Sequence, residues 1–132
     1  MPTSPAHDEA AADRRLAVTA EVLYLGNLLL VPGIAFLALA VMRYRRWEGR
    51  AAWARCHLYQ AWRGSLWAGV LLLLVSVGIF LLGGWQRPGT WVLLILYLTS
   101  CHATLVLFGV LGLARAMAGQ AYRFPLIGVA CP

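Results

Sequence analysis

The residues best suited to chemistry in this 132-residue chain are two Cys-His dipeptides, Cys56-His57 and Cys101-His102. Thiolate and imidazole together make a nitrogen-and-sulfur ligand set suited to copper or zinc, so these four residues are the candidate metal ligands. His102 is also a candidate haem ligand in company with a histidine from a second subunit. Two arguments oppose such a site. Successive residues on a helix point about 100° apart, and pairs that converge lie three or four apart. His57 also falls at the edge of an apolar stretch whereas His102 falls inside one. The preferred reading is a buried His102 hydrogen-bonded to Asn27 or to a backbone carbonyl, with Cys101 a small apolar residue. No cofactor is expected. The chain holds no paired carboxylates in an apolar run, no Gly-rich phosphate loop and no serine elbow, so no catalytic residues are assigned and a non-enzymatic protein is predicted.

The elements that must carry these residues are membrane helices. Hydrophobic residues make up 61% of the chain and charged ones 12%, with a mean hydropathy of +0.72, against about half and a quarter in soluble domains. Three runs are long enough to cross a ~30 Å hydrocarbon core: Leu16 to Met42 with Pro32-Gly33 as a kink, Trp62 to Leu82, and Trp91 to Ala114. Gly83 to Gly89 reads as a helix-breaking turn. Between the first two runs, Trp47, Ala51, Ala54, Leu58 and Ala61 recur at helical spacing, with Arg43, Arg46, Arg50 and Arg55 largely off that stripe. That pattern is an amphipathic interfacial helix or an extension of the second span. The expected fold is therefore all-α: a helical membrane bundle of three transmembrane helices plus a cytoplasmic amphipathic helix. Residues 1–15 form a polar tail, 16–127 one membrane domain and 128–132 a C-terminal tail.

Charge sets the direction. All 11 basic residues are Arg; the first 21 residues carry a net −2 and the remainder +8. The 42–61 connection holds five arginines and the 83–90 turn only Arg87, which places the connection in the cytoplasm by the positive-inside bias. Three spans then put the N-terminus outside and the C-terminus inside, in a bacterial inner membrane. A cleaved signal over residues 14–40 is the competing reading, but its apolar run is too long and it leaves the Arg-rich loop outside. Nucleic acid is not expected as a partner, whereas anionic lipid headgroups suit the Arg-rich loop. Three cysteines, two on the reducing side and one in the bilayer, predict no disulfide framework.

Helices in lipid associate through small residues that allow close approach. Gly26, Gly33 and Ala40 in the first run, Gly64 and Gly69 in the second, and Gly109 and Gly112 in the third are the expected packing positions. Polar groups inside the spans need partners. Counting depth in parallel spans one and three predicts Asn27 level with His102, and Glu21 level with Tyr97 and Ser76.

Two motifs resemble a known family. The stretch from Ala54 to Ala61 contains H-x-x-Q-A, and the stretch from Ala114 to Leu126 follows A-x-x-A-x-x-G-x-x-Y-R-Y-P with Phe124 at the second aromatic position. Both resemble the Tic-twenty-like family of small helical membrane proteins, a domain of unknown function whose relatives include a chloroplast inner-envelope translocon component and magnetosome-membrane proteins. The resemblance covers roughly Leu16 to Ile127 and implies a compact helical membrane protein without known catalysis. It carries over His57, Gln60, Gly119, Tyr122, Arg123 and Pro125 as motif positions. We expect His57 and Gln60 to hydrogen-bond the returning tail near Tyr122 and Pro125. The functional expectation is an accessory or scaffold subunit packed in the bilayer against a larger membrane-protein complex or against copies of itself. The alternatives are a metal- or haem-associated membrane protein, and a translocon- or channel-like oligomer with Tyr97, Ser100, Cys101 and Thr104 lining a wet path.

Overall fold

The computed structural model describes residues 4–45, 47–128 and 130–131, so Arg46 lies outside the described residues. These residues are helical, with no strand among them. Helix α1 (Pro5–Leu29) opens with proline in its first turn, where the missing N–H has no intrahelical partner to lose. Helix α2 is Ile34–Tyr44. Helix α3, Ala52–Gly83, runs 32 residues and includes a π-helical section at Val70–Val75. Helix α4 is Pro88–Met117.

The predicted first span is not one helix. Pro32 cannot continue α1 without clashing with the preceding turn, and Gly33 adopts φ +91°, a left-handed conformation open to glycine. Asn27 Oδ1 accepts the Gly33 N–H at 3.1 Å, which closes the turn. The chain then folds back, and Ala35 packs near Gly26. Phe36 stacks on Trp62 and Arg43 lies over Tyr59, so α2 runs antiparallel to α3. Asp13 meets Ala51 while Glu21 meets His57, so α1 and α3 are parallel. Glu21 lies against Gly112 whereas Tyr24 donates to the Leu105 carbonyl, so α1 and α4 are antiparallel.

Two expectations are corrected by the observed elements. The run from Leu16 to Met42 makes a hairpin rather than a crossing helix, and α1 begins at Pro5 inside the expected polar tail. Of the two readings of the Arg-rich amphipathic stretch, the extension of the second run is observed from Ala52 on, with Arg43 in α2 and Arg50 in the connection before α3. The Asp13 region of α1, the 45–51 connection and the C-terminal tail lie at one end of the bundle. The N-terminal acids serve that end: Asp13 accepts the Ala51 N–H at 3.2 Å and sits 3.8 Å from Arg50. Asp13→Asn, at a partly exposed pair, is expected to cost only about 0.2–1 kcal/mol in equilibrium unfolding.

Helix α1 touches all three other helices. Its buried stripe of Leu16, Ala17, Ala20 and Tyr24 joins Leu39, Ala54, Leu58, Ala61, Ala116 and Phe124 in one core. From Val70 onward α3 packs against α4, so the α3–α4 hairpin projects past the α1–α2 tip. Of the expected packing positions, Gly64, Gly109 and Gly112 are close approaches. A Cβ on Gly109 would stand 2.6 Å from Leu25, and one on Gly112 would stand 2.6 Å from the Glu21 carboxylate. Gly33 is a turn residue, Gly69 has open space beside it, and Ala40 is half-buried. Gly109→Ala and Gly112→Ala are each expected to destabilise by about 1–3 kcal/mol. Gly78→Ala, with nothing within 4 Å, is expected to be neutral or slightly stabilising in the same unfolding titration.

Candidate functional site

The polar centre of the molecule is built where α1, α3 and the C-terminal tail meet. Helix α3 buries one face, which includes Ala54, His57, Ala61, Gly64 and Ala68, against the rest of the bundle. His57 sits on that face with no exposure, and Glu21 on α1, also fully buried, is its partner. His57 Nδ1 lies 2.7 Å from Glu21 Oε1, and its Nε2–H donates to the Gln120 carbonyl at 2.8 Å. A carbonyl can only accept, so Nε2 carries a proton and one further proton is shared between Nδ1 and Oε1. The pair is neutral overall in either arrangement. Trp53 sets its ring edge-on to the imidazole at 6.3 Å.

The tail is shaped to deliver that carbonyl. Gly119 takes φ +70°, the Gln120 N–H bonds the Arg115 carbonyl and the Gly119 N–H bonds that of Ala116. This is the double closure of a Schellman C-cap, which reverses the chain at a glycine. Arg115 then holds the Gln120 side chain at 2.7 Å. Past the turn, Phe124 is buried against Tyr24, Phe108 and Tyr122, in space left by Gly64. Gly128 returns its N–H to the Phe124 carbonyl, and Arg123 reaches the Gly128 carbonyl at 3.4 Å. Burial, reinforced by the Glu21 carboxylate, lifts the Tyr122 phenol above its ordinary range, while Arg115 opposes the shift.

Several sequence expectations meet here in altered form. His57 does bond the tail, but at Gln120 rather than near Tyr122 or Pro125, and Pro125 is exposed. Gln60 Nε2 lies 3.9 Å from Cys131 Sγ. Cys56 and Cys131 are joined as a disulfide across 75 residues, contrary to the expectation of no such bond, because the Schellman turn brings the chain end back to α3. Cys56 is therefore not a metal ligand in this form, and its Sγ lies 3.7 Å from the Tyr122 carbonyl. Among the described residues no group of three His, Cys, Asp or Glu side chains could hold a metal ion.

The remaining polar residues are dispersed. Asn27 and His102 line one groove of about 590 Å3 at the hairpin tip. Glu21, however, is level with Gly112 and not with Tyr97 or Ser76, because α1 and α4 are antiparallel; Asn27 and His102 agree in depth where the two opposite counts cross. Tyr97 donates to the Leu71 carbonyl at 2.7 Å, in the π-helical section, and Thr104 donates to the Ser100 carbonyl. Two of the three hydroxyls of the expected wet stripe thus bond backbone, and with Ser100 and Cys101 they flank an apolar groove of about 470 Å3. The Ser76 hydroxyl, Glu21 Oε2 and the Tyr122 hydroxyl are buried without a partner among the described residues.

Sequence reasoning did not pair Glu21 with His57, and it passed over Gln120, whose contribution is a backbone carbonyl. The available signal was that Glu21 is the single acid inside an apolar run and His57 the single histidine in the tail-facing motif. Compared with protein-family models, curated proteins and solved structures, the chain matches none of them.

Proposed function

We propose that the protein is a non-enzymatic integral membrane protein of the bacterial inner membrane, acting as an accessory or scaffold subunit beside a larger membrane complex. The observation that carries this is the outward surface of α3 and α4. Both are long and apolar enough to cross a bilayer, yet only 6% and 11% of their most apolar windows are buried within the molecule. Leu73, Leu74, Leu81, Leu82, Ile95 and Leu96 all face outward. Such surface needs lipid or another protein against it. The buried Glu21–His57 pair supports a structural role, since neither residue lines either of the two grooves described and the pair clamps a tail. The Tic-twenty-like resemblance supports the same reading.

In this reading α3 and α4 cross the membrane, the shorter α1–α2 hairpin enters from the same side as the termini, and that side is cytoplasmic. Arginines at the 43–55 connection supply the orientation. The solvent-exposed Cys131 leaves the Cys56–Cys131 bond open to cellular thiols on that face. Single cysteines placed at Ser4, Gln86 and Ala130 in a chain whose own cysteines are replaced by serine test the arrangement with an impermeant thiol reagent. Gln86 is expected to label from outside, and Ser4 and Ala130 only after the membrane is opened. Labelling of Ser4 from outside together with Gln86 would overturn it. Gentle solubilisation and identification of co-purifying membrane proteins tests the accessory role, and a chain that emerges alone as a monomer defeats it.

A further inference from the structure

Two cavities of opposite character lie on one seam of the molecule. At the lower end, a cavity of about 220 Å3 is lined by Arg43, Arg45 and Arg55, with Trp47, Tyr59 and the Glu48 carboxylate. The lining holds three arginines and one glutamate, a formal net charge of +2. Arg43 is held over the Tyr59 ring at 5.4 Å from the centroid, which fixes its direction. At the upper end lies the groove of about 590 Å3, lined mostly by apolar residues of the hairpin tip and α3, among them Phe36, Leu66, Val70 and Leu73.

The same face of α3 serves both. Arg55, Tyr59, Trp62, Leu66, Gly69 and Leu73 follow one another at three- and four-residue steps, so they form one stripe. On the α2 side, Arg43 stands opposite Tyr59 and Phe36 opposite Trp62, with Gly33 at the tip. From Tyr59 to Val70 is 11 residues, or about 16 Å along the helix. One leaflet contributes about half of a ~30 Å hydrocarbon core. The basic end sits among aromatic residues, with Tyr44 highly exposed, as suits the headgroup level of a membrane.

We propose that this seam binds one anionic phospholipid, its phosphate held by Arg43, Arg45 and Arg55 and one acyl chain running over Trp62 into the groove between Phe36 and Leu73. The proposal rests on the membrane reading above and names the lipid chemistry of that surface. An isolated phosphate would account for the cradle alone, whereas a phospholipid accounts for both cavities, their shared stripe and their separation.

The test uses the full chain in nanodiscs of phosphatidylcholine with added phosphatidylglycerol, the retained lipid being counted by native mass spectrometry after mild detergent extraction. Phosphatidylglycerol is expected to be retained over phosphatidylcholine, and Arg43→Gln, Arg45→Gln and Arg55→Gln each to weaken that retention about fivefold. Arg55→Lys is expected to keep most of it, and Arg87→Gln, at the far turn, all of it. Gly69→Leu, which fills open space in the groove, is expected to lower retention with the arginines intact. Equal retention of the two lipids, or a triple Gln variant that behaves as the wild type, overturns the proposal. So does displacement of phosphatidylglycerol by inorganic phosphate with Gly69→Leu silent, which would make the cradle a soluble-anion site. A chain that enters no nanodisc overturns the membrane reading itself and is seen before any lipid is counted.

Discussion

His57→Ala is expected to lower the free energy of unfolding by about 3–5 kcal/mol, because it leaves the fully buried Glu21 carboxyl facing an empty site. The loss is large for three reasons. Glu21 Oε2 has no hydrogen-bond partner among the described residues, so there Oε1 carries the polar satisfaction of that group. Gly112 brings the backbone of α4 close against the carboxylate, where an added Cβ would stand 2.6 Å from Oε2. The Gln120 carbonyl would lose its donor in the same step. Equilibrium unfolding in detergent micelles measures the cost, and limited proteolysis of residues 120–131 reports release of the tail. Combining Glu21→Leu with His57→Leu is expected to cost much less than the sum of the single changes, since an apolar pair leaves no buried charge. A His57→Ala cost below about 1 kcal/mol would show that the pair is not the clamp described.

Phe124→Ala is expected to cost a similar amount, about 3–5 kcal/mol, by removing a large buried aromatic from a site that cannot collapse. The ring is 2% exposed and lies 5.1 Å from the Tyr24 ring. Tyr24 is pinned in turn by its bond to the Leu105 carbonyl, and the neighbouring α3 backbone at Gly64 has no side chain with which to fill the void. Phe124 therefore works as the apolar anchor of the tail, while His57 is the polar one. In proteolysis, Phe124→Ala is expected to expose the tail even with Cys56 and Cys131 still joined, since that bond holds only the far end. Tail protection unchanged in Phe124→Ala under reducing conditions would sink this account.

Much of the helical content was legible because it rests on local rules. The apolar runs of α3 and α4 follow from hydropathy over short windows, whereas Pro88, read as part of a turn, opens α4, and Gly119, read as a motif position, terminates it. The hairpin at Pro32-Gly33 was not legible as such. A proline and a glycine in an apolar run permit either a kink or a reversal, and what selects reversal is the packing of Phe36 on Trp62 and of Ala35 near Gly26. That choice inverted the direction of every later helix relative to α1, so Glu21 moved from the expected company of Tyr97 to that of Gly112.

The sequence by itself determined that the chain is helical, that two of its helices are apolar along most of their length, and that its arginines gather at one connection. Those properties are sums over neighbouring residues, and no fold is needed to read them. Tertiary structure alone decided that Glu21 faces His57 across 36 residues, that a backbone carbonyl at Gln120 completes the pair, and that Cys56 meets Cys131. Each depends on which face of one helix meets which face of another, and that is set by glycine-sized gaps and by one reversal of direction.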